Sequence, residues 1–184
     1  SNTHFKNINF LKDLITEETP LLGIEPSGII TFRDEYLALV DPELYEDAAK
    51  LAKNALMFDE FLLKEIQAGR IHKEQFSAEN KTIKLHGHCY QKAFHLVETT
   101  EKVLSFPMNY KVEVIPSGCC GMAGSFGYEK EHYEISMKVA ELVLLPTIRK
   151  TDTTTWIAAA GTSCRHQIKD GVGRHSYHPV EILY

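Results

Sequence analysis

The chain has 184 residues, of which 43% are hydrophobic and 24% charged, so it is long enough to bury a sizeable core as a globular protein. Its 25 acidic and 20 basic residues give a net charge of −5, which argues against nucleic-acid binding. The longest apolar runs, such as residues 142–145, are too short to cross a membrane, and no signal peptide opens the chain. We therefore expect a cytoplasmic protein without a transmembrane segment, free or peripheral at the inner face of the membrane.

The first 80 residues predict helices around one short strand. Apolar residues three to four positions apart predict a helix over residues 4–15, and residues 19–24 predict a strand. Asp41 is a good N-cap for a long helix that Gly69 ends. This helix is expected to bend or break near residues 57–59.

From residue 81 onward, strand and helix patterns alternate in the order β-α-β-α-β. The strands are predicted over residues 81–85, 110–115 and 155–160, and the helices over residues 93–104 and 129–150. This order predicts an α/β fold with a parallel sheet and flanking helices. Right-handed crossovers bring the carboxyl ends of the strands to one edge, where open α/β sheets bind ligands. The strand over residues 110–115 is expected at the middle of that edge.

A faint internal repeat relates residues 19–28 to residues 155–164, since both segments follow a helix and end in a Ser before a turn. The repeat predicts that residues 1–80 are the end of a first unit plus a connecting helix. Residues 81–184 are then a complete second unit. The opening Ser1-Asn2 resembles a tag scar, which favours a piece of a larger protein.

All four cysteines fall at predicted strand ends, so we expect their thiols to meet: Cys89, Cys119, Cys120 and Cys164. Their spacing differs from that of zinc fingers and ferredoxins, so the fold rather than local spacing places each thiol. Nearby helix N-termini are expected to favour thiolate, the form that binds metal. Four thiolates suit an iron–sulfur cluster or Zn²⁺. The alternative, four small buried hydrophobic residues, fits poorly with two adjacent thiols beside glycine.

Residues beside the cysteines are further candidates for binding a cofactor. Gly118 and Gly121 would let the backbone approach a ligand closely. His88, His166 and His86, which ends the same strand as His88, are candidates to bind the metal or to donate a hydrogen bond to a thiolate. Capping or surface roles are equally consistent with their positions. Lys92 is interpreted as part of a solvated face.

Motifs for nucleotide binding and hydrolysis are missing from the sequence. It contains no dinucleotide-binding glycine pattern, Walker loop, H-E-x-x-H or G-x-S-x-G. No catalytic residue is therefore assigned, and the chain by itself is not expected to be a complete enzyme.

Three cysteine-containing stretches resemble the cysteine-rich CCG domain found in heterodisulfide reductase and in the iron–sulfur subunit of glycolate oxidase. They are residues 86–93 (HGHCYQKA), residues 119–133 (CCGMAGSFGYEKEHY) and residues 161–168 (GTSCRHQI). With residues 178–181 (HPVE), they also resemble the C-terminal part of large FAD-linked D-2-hydroxy-acid dehydrogenases. This resemblance covers nearly all of residues 20–184.

The resemblance implies two tandem CCG units that form an electron-transfer module acting with a glycolate, D-lactate or 2-hydroxyglutarate type of dehydrogenase. An iron–sulfur cluster would be held by the four cysteines, with FAD on another domain, and the partners would be the flavin and ferredoxin-like domains of the parent protein. Gln167 stands where the family motif has its last cysteine, and Gly28 stands where relatives often have one. The alternative is a structural zinc or thiol–disulfide site in a docking or homo-oligomerisation domain.

Overall fold

The computed structural model describes residues 2–184, with side chains from residue 5 onward, and the chain divides after Leu62 into two compact units. Each unit has a small parallel sheet flanked by helices, which confirms the predicted α/β class. Among the described residues, no helix is both long and apolar enough to cross a bilayer.

The first unit contains a two-stranded parallel sheet with helices around it. Strand β1 (Leu21–Gly23) pairs with β2 (Ala55–Met57), and Leu21 lies opposite Ala55. The helices are α1 (Asn2–Leu11), α2 (Pro26–Ile29), α3 (Glu35–Leu39), α4 (Tyr45–Asn54) and α5 (Phe58–Gln67), the last of which crosses the boundary between the units.

Strand β2 replaces the middle of the single long helix that the sequence predicts. The break expected near residues 57–59 exists, but it is a fully buried strand rather than a bend. Arg33 stabilises this interruption because its Nε donates a hydrogen bond to the Ala55 carbonyl at 2.7 Å and its Nη2 pairs with Glu60. The Glu60 carboxylate also accepts a hydrogen bond from the Met57 backbone N–H at 2.9 Å, which satisfies a free donor where α5 begins.

The second unit is built around strands β3 (Lys81–His86), β4 (Tyr110–Val114) and β5 (Trp156–Ala159), which form one parallel sheet in the order β4-β3-β5. Its helices are α6 (Cys89–Ala93), α7 (Val97–Leu104), α8 (Tyr133–Ala140), α9 (Leu144–Lys150), α10 (Thr162–Val172) and α11 (Pro179–Leu183). Tyr177 extends the sheet beyond β5 by a short bridge to Ala158.

The central strand is β3, so the expectation that residues 110–115 lie in the middle is wrong. Lys111 and Glu113 of β4 are exposed, as suits charged residues on an edge strand. The first crossover places β4 on one side of β3, and the second returns the chain to place β5 on the other. The strand order therefore reverses beside β3, and such switch points are where open α/β sheets form their ligand-binding crevices.

Both faces of this sheet are covered by apolar side chains. On one face, Ile157 and Ala159 pack with Leu144, Leu145 and other residues of α8–α10. On the other face, Ala158 of β5 packs in a cluster with residues of β3, α7 and α11: Ile83, Leu85, Leu104 and Ile182. Successive side chains of β5 thus point to opposite faces, as in any strand. Helices cover both faces, so a ligand can reach the sheet only at the ends of its strands.

Two predicted helices differ from their expected bounds in the structure. The helix expected over residues 129–150 becomes α8 and α9, because Pro146 lacks an N–H and its ring would clash with the carbonyl of Leu142 in a continuous helix. The helix expected over residues 93–104 begins only at Val97, as α7, because the chain turns after the short α6 at His95, which has a φ of 57°.

Lys81 connects the three strands at their amino ends. Its ammonium group lies 5.0 Å from the centre of the Tyr110 ring on β4 and 4.6 Å from that of Trp156 on β5. Both distances are within the range of cation–π attraction. This lysine therefore links the central strand to both of its neighbours.

Candidate metal centre

The carboxyl ends of the three strands bring the candidate ligands together in the second unit. His86 ends β3, and Cys89 begins α6 three residues later. Cys119 and Cys120 lie in the loop after β4, and Cys164 lies in the first turn of α10 after β5. All four cysteines carry free thiols.

A buried group of three side chains lies at the centre of this edge. The ligand atoms of His86, Cys120 and Cys164 are all within 4.8 Å of one another, and each residue is at most 5% exposed. Ligand atoms around a tetrahedral Zn²⁺ are about 3.5–3.8 Å apart, so a small inward movement would bring this trio to bonding distance. Two sulfurs and an imidazole are a donor set suited to zinc or iron.

His86 is oriented as metal-binding histidines usually are. Its Nδ1 is 2.7 Å from the Ser117 hydroxyl, so one ring nitrogen is hydrogen-bonded and the other is available to a metal. Burial, together with the charges of Lys92 and His88, lowers the pKa of His86 to about 3. The imidazole is therefore neutral at neutral pH, which is the form that binds metals.

Three thiols form a hydrogen-bonded row from the surface into the core. A hydrogen bond from Cys119 to Cys120 and burial both raise the pKa of the Cys119 thiol. The hydrogen bond from Cys119 lowers the pKa of the Cys120 thiol. The hydrogen bond from Cys120 to Cys164 and the burial of Cys120 raise that pKa, and the result is a pKa of about 12. The expectation that local structure favours thiolate is wrong for these two residues in the metal-free chain, because burial and the S–H contacts outweigh the backbone N–H groups.

Cys89 and His88 lie at the outer side of the group. Cys89 is exposed as a residue, but its sulfur is partly withdrawn from water, and this partial burial raises the pKa of the thiol. The Cys89 sulfur is 3.7 Å from Nδ1 of His88, and that nitrogen accepts a hydrogen bond from the Tyr90 N–H at 3.2 Å. His88 thus caps α6 and borders the thiols at the same time.

His166 and Gln167, the residues that follow Cys164 and Arg165 in α10, each bond a side chain of another segment. Nδ1 of His166 is 2.6 Å from the Tyr128 hydroxyl on the surface. Gln167 donates hydrogen bonds to the Ser136 hydroxyl at 2.9 Å and the Ser136 carbonyl at 3.2 Å. These contacts tie α10 to α8.

Glycine is required by close packing at two positions of the edge. Gly121 has a φ of 94°, and a Cβ there would lie 2.1 Å from the Ser136 carbonyl oxygen. A Cβ at Gly161 would lie 2.3 Å from the His88 ring and 3.2 Å from the Cys164 sulfur. By contrast, a Cβ at Gly118 would meet nothing within 4 Å.

The sequence alone does not reveal the roles of two side chains of this edge. It does not single out Ser117, and it assigns Lys92 to a solvated face. Lys92 instead donates hydrogen bonds to the Ser117 carbonyl, at 2.6 Å, and to the Gly118 carbonyl. The position of His86 at the end of a strand is the one sequence signal that points to it.

Comparison with known proteins links the whole chain to one class of enzyme. The chain is 26% identical over 184 residues to D-2-hydroxyglutarate dehydrogenase of Escherichia coli (strain K12) and 28% identical over 184 residues to that of Pantoea ananatis (strain AJ13355). It is 29% identical over 179 residues to the Pseudomonas putida enzyme. The chain is similar to one part of these dehydrogenases.

The similarity spans the chain completely but the dehydrogenases only in small part. It covers 100% of the chain and 17% of the Escherichia coli and Pantoea ananatis enzymes. No family model matches the chain, and no solved structure matches it. The dehydrogenases are therefore much longer proteins, of which this chain resembles one segment.

Proposed function

We propose that the chain is the cysteine-rich, metal-binding electron-transfer module of a larger flavin-linked oxidoreductase that acts on a 2-hydroxy acid. The observation that carries this proposal is the buried trio of His86, Cys120 and Cys164, with Cys119 hydrogen-bonded to it. Buried thiols that converge from distant parts of a chain on a sheet edge suit a soft metal better than they suit core packing.

The similarity to D-2-hydroxyglutarate dehydrogenases supports the oxidoreductase part of the proposal. Because the chain matches 17% of the first two of these proteins, the FAD and the 2-hydroxy acid would bind to other parts of the parent protein. A flavin domain and a ferredoxin-like domain would then be its partners. The chain itself would take part in electron transfer rather than in the reaction of the acid.

An iron–sulfur cluster would supply one-electron transfer at this site. Cys89, Cys119, Cys120 and Cys164 are the proposed thiolate ligands, and His86 is a nitrogen donor close to Cys120 and Cys164. The chain's own residues would exclude water, since His86 and Cys164 are each 1% exposed. Ser117 would hold the imidazole in place, and His88 and His166 would border the site rather than form its centre.

A structural Zn²⁺ is the second candidate, and the compactness of the trio favours it. Three ligand atoms within 4.8 Å suit one ion, with Cys119 or water as the fourth ligand. Such an ion would cross-link the strand ends without transferring electrons, and the module would then serve in docking or oligomerisation.

The two candidates are separated by metal analysis of the intact parent protein purified without oxygen. Iron with acid-labile sulfide, a visible charge-transfer spectrum and a reducible paramagnetic signal would support the cluster. One zinc per chain without iron would support the structural site. If the parent protein contained neither metal, and the Cys120→Ser variant behaved like the wild type, the metal-binding function would be refuted.

The two-unit organisation remains part of the same proposal. In both compact units a parallel strand precedes a helix at the repeated positions: β1 before α2, and β5 before α10. This likeness supports the interpretation of residues 1–80 as the end of a first CCG-like unit plus a connecting helix, and of residues 81–184 as a second unit. Limited proteolysis of the parent protein, with mass spectrometry of the resistant fragments, tests these boundaries.

A further inference from the structure

Lys92 reaches the thiol edge from helix α6 and is half-buried there. Its side chain passes Gly87, where a Cβ would lie 3.3 Å from the Lys92 Cε. Its ammonium group donates hydrogen bonds to two successive carbonyls of the loop after β4, those of Ser117 and Gly118. Ser117 and Gly118 directly precede the Cys119-Cys120 pair. The Lys92 side chain therefore connects helix α6, which begins with Cys89, to the loop that carries Cys119 and Cys120.

The charge of Lys92 acts on the four cysteines and on His86. Burial lowers the pKa of Lys92, and attraction to all four cysteine sulfurs opposes that effect: Cys164, Cys119, Cys89 and Cys120. After burial itself, the same ammonium charge is the largest cause of the low pKa of His86. A cation held by two carbonyls among four sulfurs is an unusual use of a lysine, because lysine side chains ordinarily extend into water.

A divalent ion bound by three or four thiolates carries a net negative charge at a site whose central side chains, those of His86, Cys120 and Cys164, are buried. A neighbouring ammonium group offsets that charge more strongly there than at a fully exposed surface. The hydrogen bonds to Ser117 and Gly118 supply the second contribution, since they hold the loop that places Cys119 and Cys120. Both contributions come from one side chain.

We propose that Lys92 is a positioning residue of the thiol site, which fixes the loop over residues 117–118 and compensates the negative charge of metal-bound sulfurs. This inference rests on the proposed metal-binding function. Lys92 would not bind the metal itself, but it would raise the affinity of the thiolates for the metal.

Anaerobic titration of the 184-residue chain with Co²⁺ tests this role, because cobalt–thiolate charge-transfer bands report both affinity and ligand environment. We expect Lys92→Met to weaken Co²⁺ binding roughly 10- to 100-fold. The charge-transfer band should move to longer wavelength, since sulfur electrons are released more easily without a neighbouring cation. Lys92→Arg keeps the positive charge and should retain most of the affinity and the band position.

Lys111→Met is the matched control, because Lys111 is an exposed lysine on β4 of the same unit and its loss should change the affinity less than about twofold. Circular dichroism confirms folding of each variant, and Lys92→Gln is the second uncharged variant if Lys92→Met does not fold. Unchanged affinity and band position in the uncharged variants, with wild-type binding intact, would refute the role of Lys92 alone. Equal weakening in Lys92→Arg and Lys92→Met would refute charge compensation. No Co²⁺ binding by the wild-type chain would overturn this inference together with the metal-binding function.

Discussion

Cys120 occupies the middle of the thiol row, where it contacts Cys119 on one side and Cys164 on the other. Its pKa of about 12 means that the thiol is protonated near neutral pH in the metal-free chain. A metal must therefore displace that proton before the sulfur can bind it. The Cys120 thiol is thus a neutral donor until a metal arrives, which limits the cost of burying it.

Metal affinity should consequently rise with pH. Between about pH 6 and pH 8 the apparent affinity of the 184-residue chain for Co²⁺ should increase at least tenfold per pH unit, one factor of ten for each thiol proton displaced. Parallel titrations at several pH values measure this slope. Cys120→Ser should bind more weakly and with a shallower slope, whereas an affinity independent of pH would show that the thiols of the free chain are already ionised.

Gly121 is a position where both backbone conformation and packing exclude other residues. Gly121→Ala should lower the free energy of unfolding by about 2 kcal/mol or more, because a Cβ would meet the Ser136 carbonyl oxygen. Gly124 provides the matched control, since its φ is 68° but a Cβ there meets nothing within 4 Å. Gly124→Ala should cost only about 1 kcal/mol of strain. Urea unfolding of both variants measures the difference, and equal losses would contradict the packing role.

The sequence can predict the meeting of thiols at this edge but not the complete set of site residues. Each cysteine follows a predicted strand, and parallel strands end at a common edge, so convergence follows from topology. His86 could not be distinguished in this way, because its burial depends on β3 being central. Lys92 looks like any surface lysine in the sequence, because its partners are backbone carbonyls of a loop distant along the chain.

At the level of elements, the ion pair between Arg33 and Glu60 stabilises the short strand β2 between helices α4 and α5. Its side chain is 16% exposed and that of Glu60 is 18% exposed, so this pair is largely withdrawn from water. Arg33 also bonds the Ala55 carbonyl, and Glu60 bonds the Met57 N–H. A strand inserted between two helices leaves backbone groups unpaired, and this pair satisfies two of them.

Arg33→Met should lower the free energy of unfolding by roughly 2–3 kcal/mol, since it removes the cation that pairs with the largely buried Glu60 carboxylate and the donor that bonds the Ala55 carbonyl. Lys12→Met removes a more exposed ion pair to Asp47, with side chains 30% and 35% exposed, and should cost less than about 1 kcal/mol. Chemical denaturation of the two variants provides the comparison. A loss for Arg33→Met no larger than that for Lys12→Met would refute the structural importance of the Arg33–Glu60 pair.

The order of strands and the division of helices were harder to predict than the elements themselves. The alternation of β and α patterns leaves open which strand is central, because either order satisfies right-handed crossovers. Pro146 inside an apolar helical pattern was a signal for the break before α9. The short strand β2 gave no such signal, because Ala55–Met57 continues the apolar face of the preceding helix and becomes a strand through pairing with β1.

On the scale of the whole molecule, the candidate ligands all belong to the second compact unit. His86, Cys120 and Cys164 come from three segments at the ends of β3, β4 and β5. Metal binding should therefore stabilise these segments selectively, since a ligand stabilises the folded regions that bind it.

Hydrogen exchange with and without Zn²⁺ tests this localisation. Amides at residues 86–92, 117–121 and 161–166 should become more protected when Zn²⁺ is added to the reduced chain, and those at residues 19–32 of the first unit should not change. The double variant Cys120→Ser, Cys164→Ser should lose the effect. Increased protection that spreads evenly over both units, or that persists in the double variant, would contradict a site at the strand ends.

The contact of Lys81 with Tyr110 and Trp156 has a consequence at the opposite end of the sheet. Neighbouring parallel strands can in principle shift past one another, and a shift of one residue turns every side chain to the other face. By holding a ring from each neighbouring strand, Lys81 sets the alignment in which Lys81 lies opposite Tyr110 and Ile83 opposite Trp156. In this alignment the side chain of His86, and not that of Leu85, lies beside the sulfurs of Cys120 and Cys164. A lysine at the opposite end of the sheet therefore helps to determine which side chain of β3 faces the thiols.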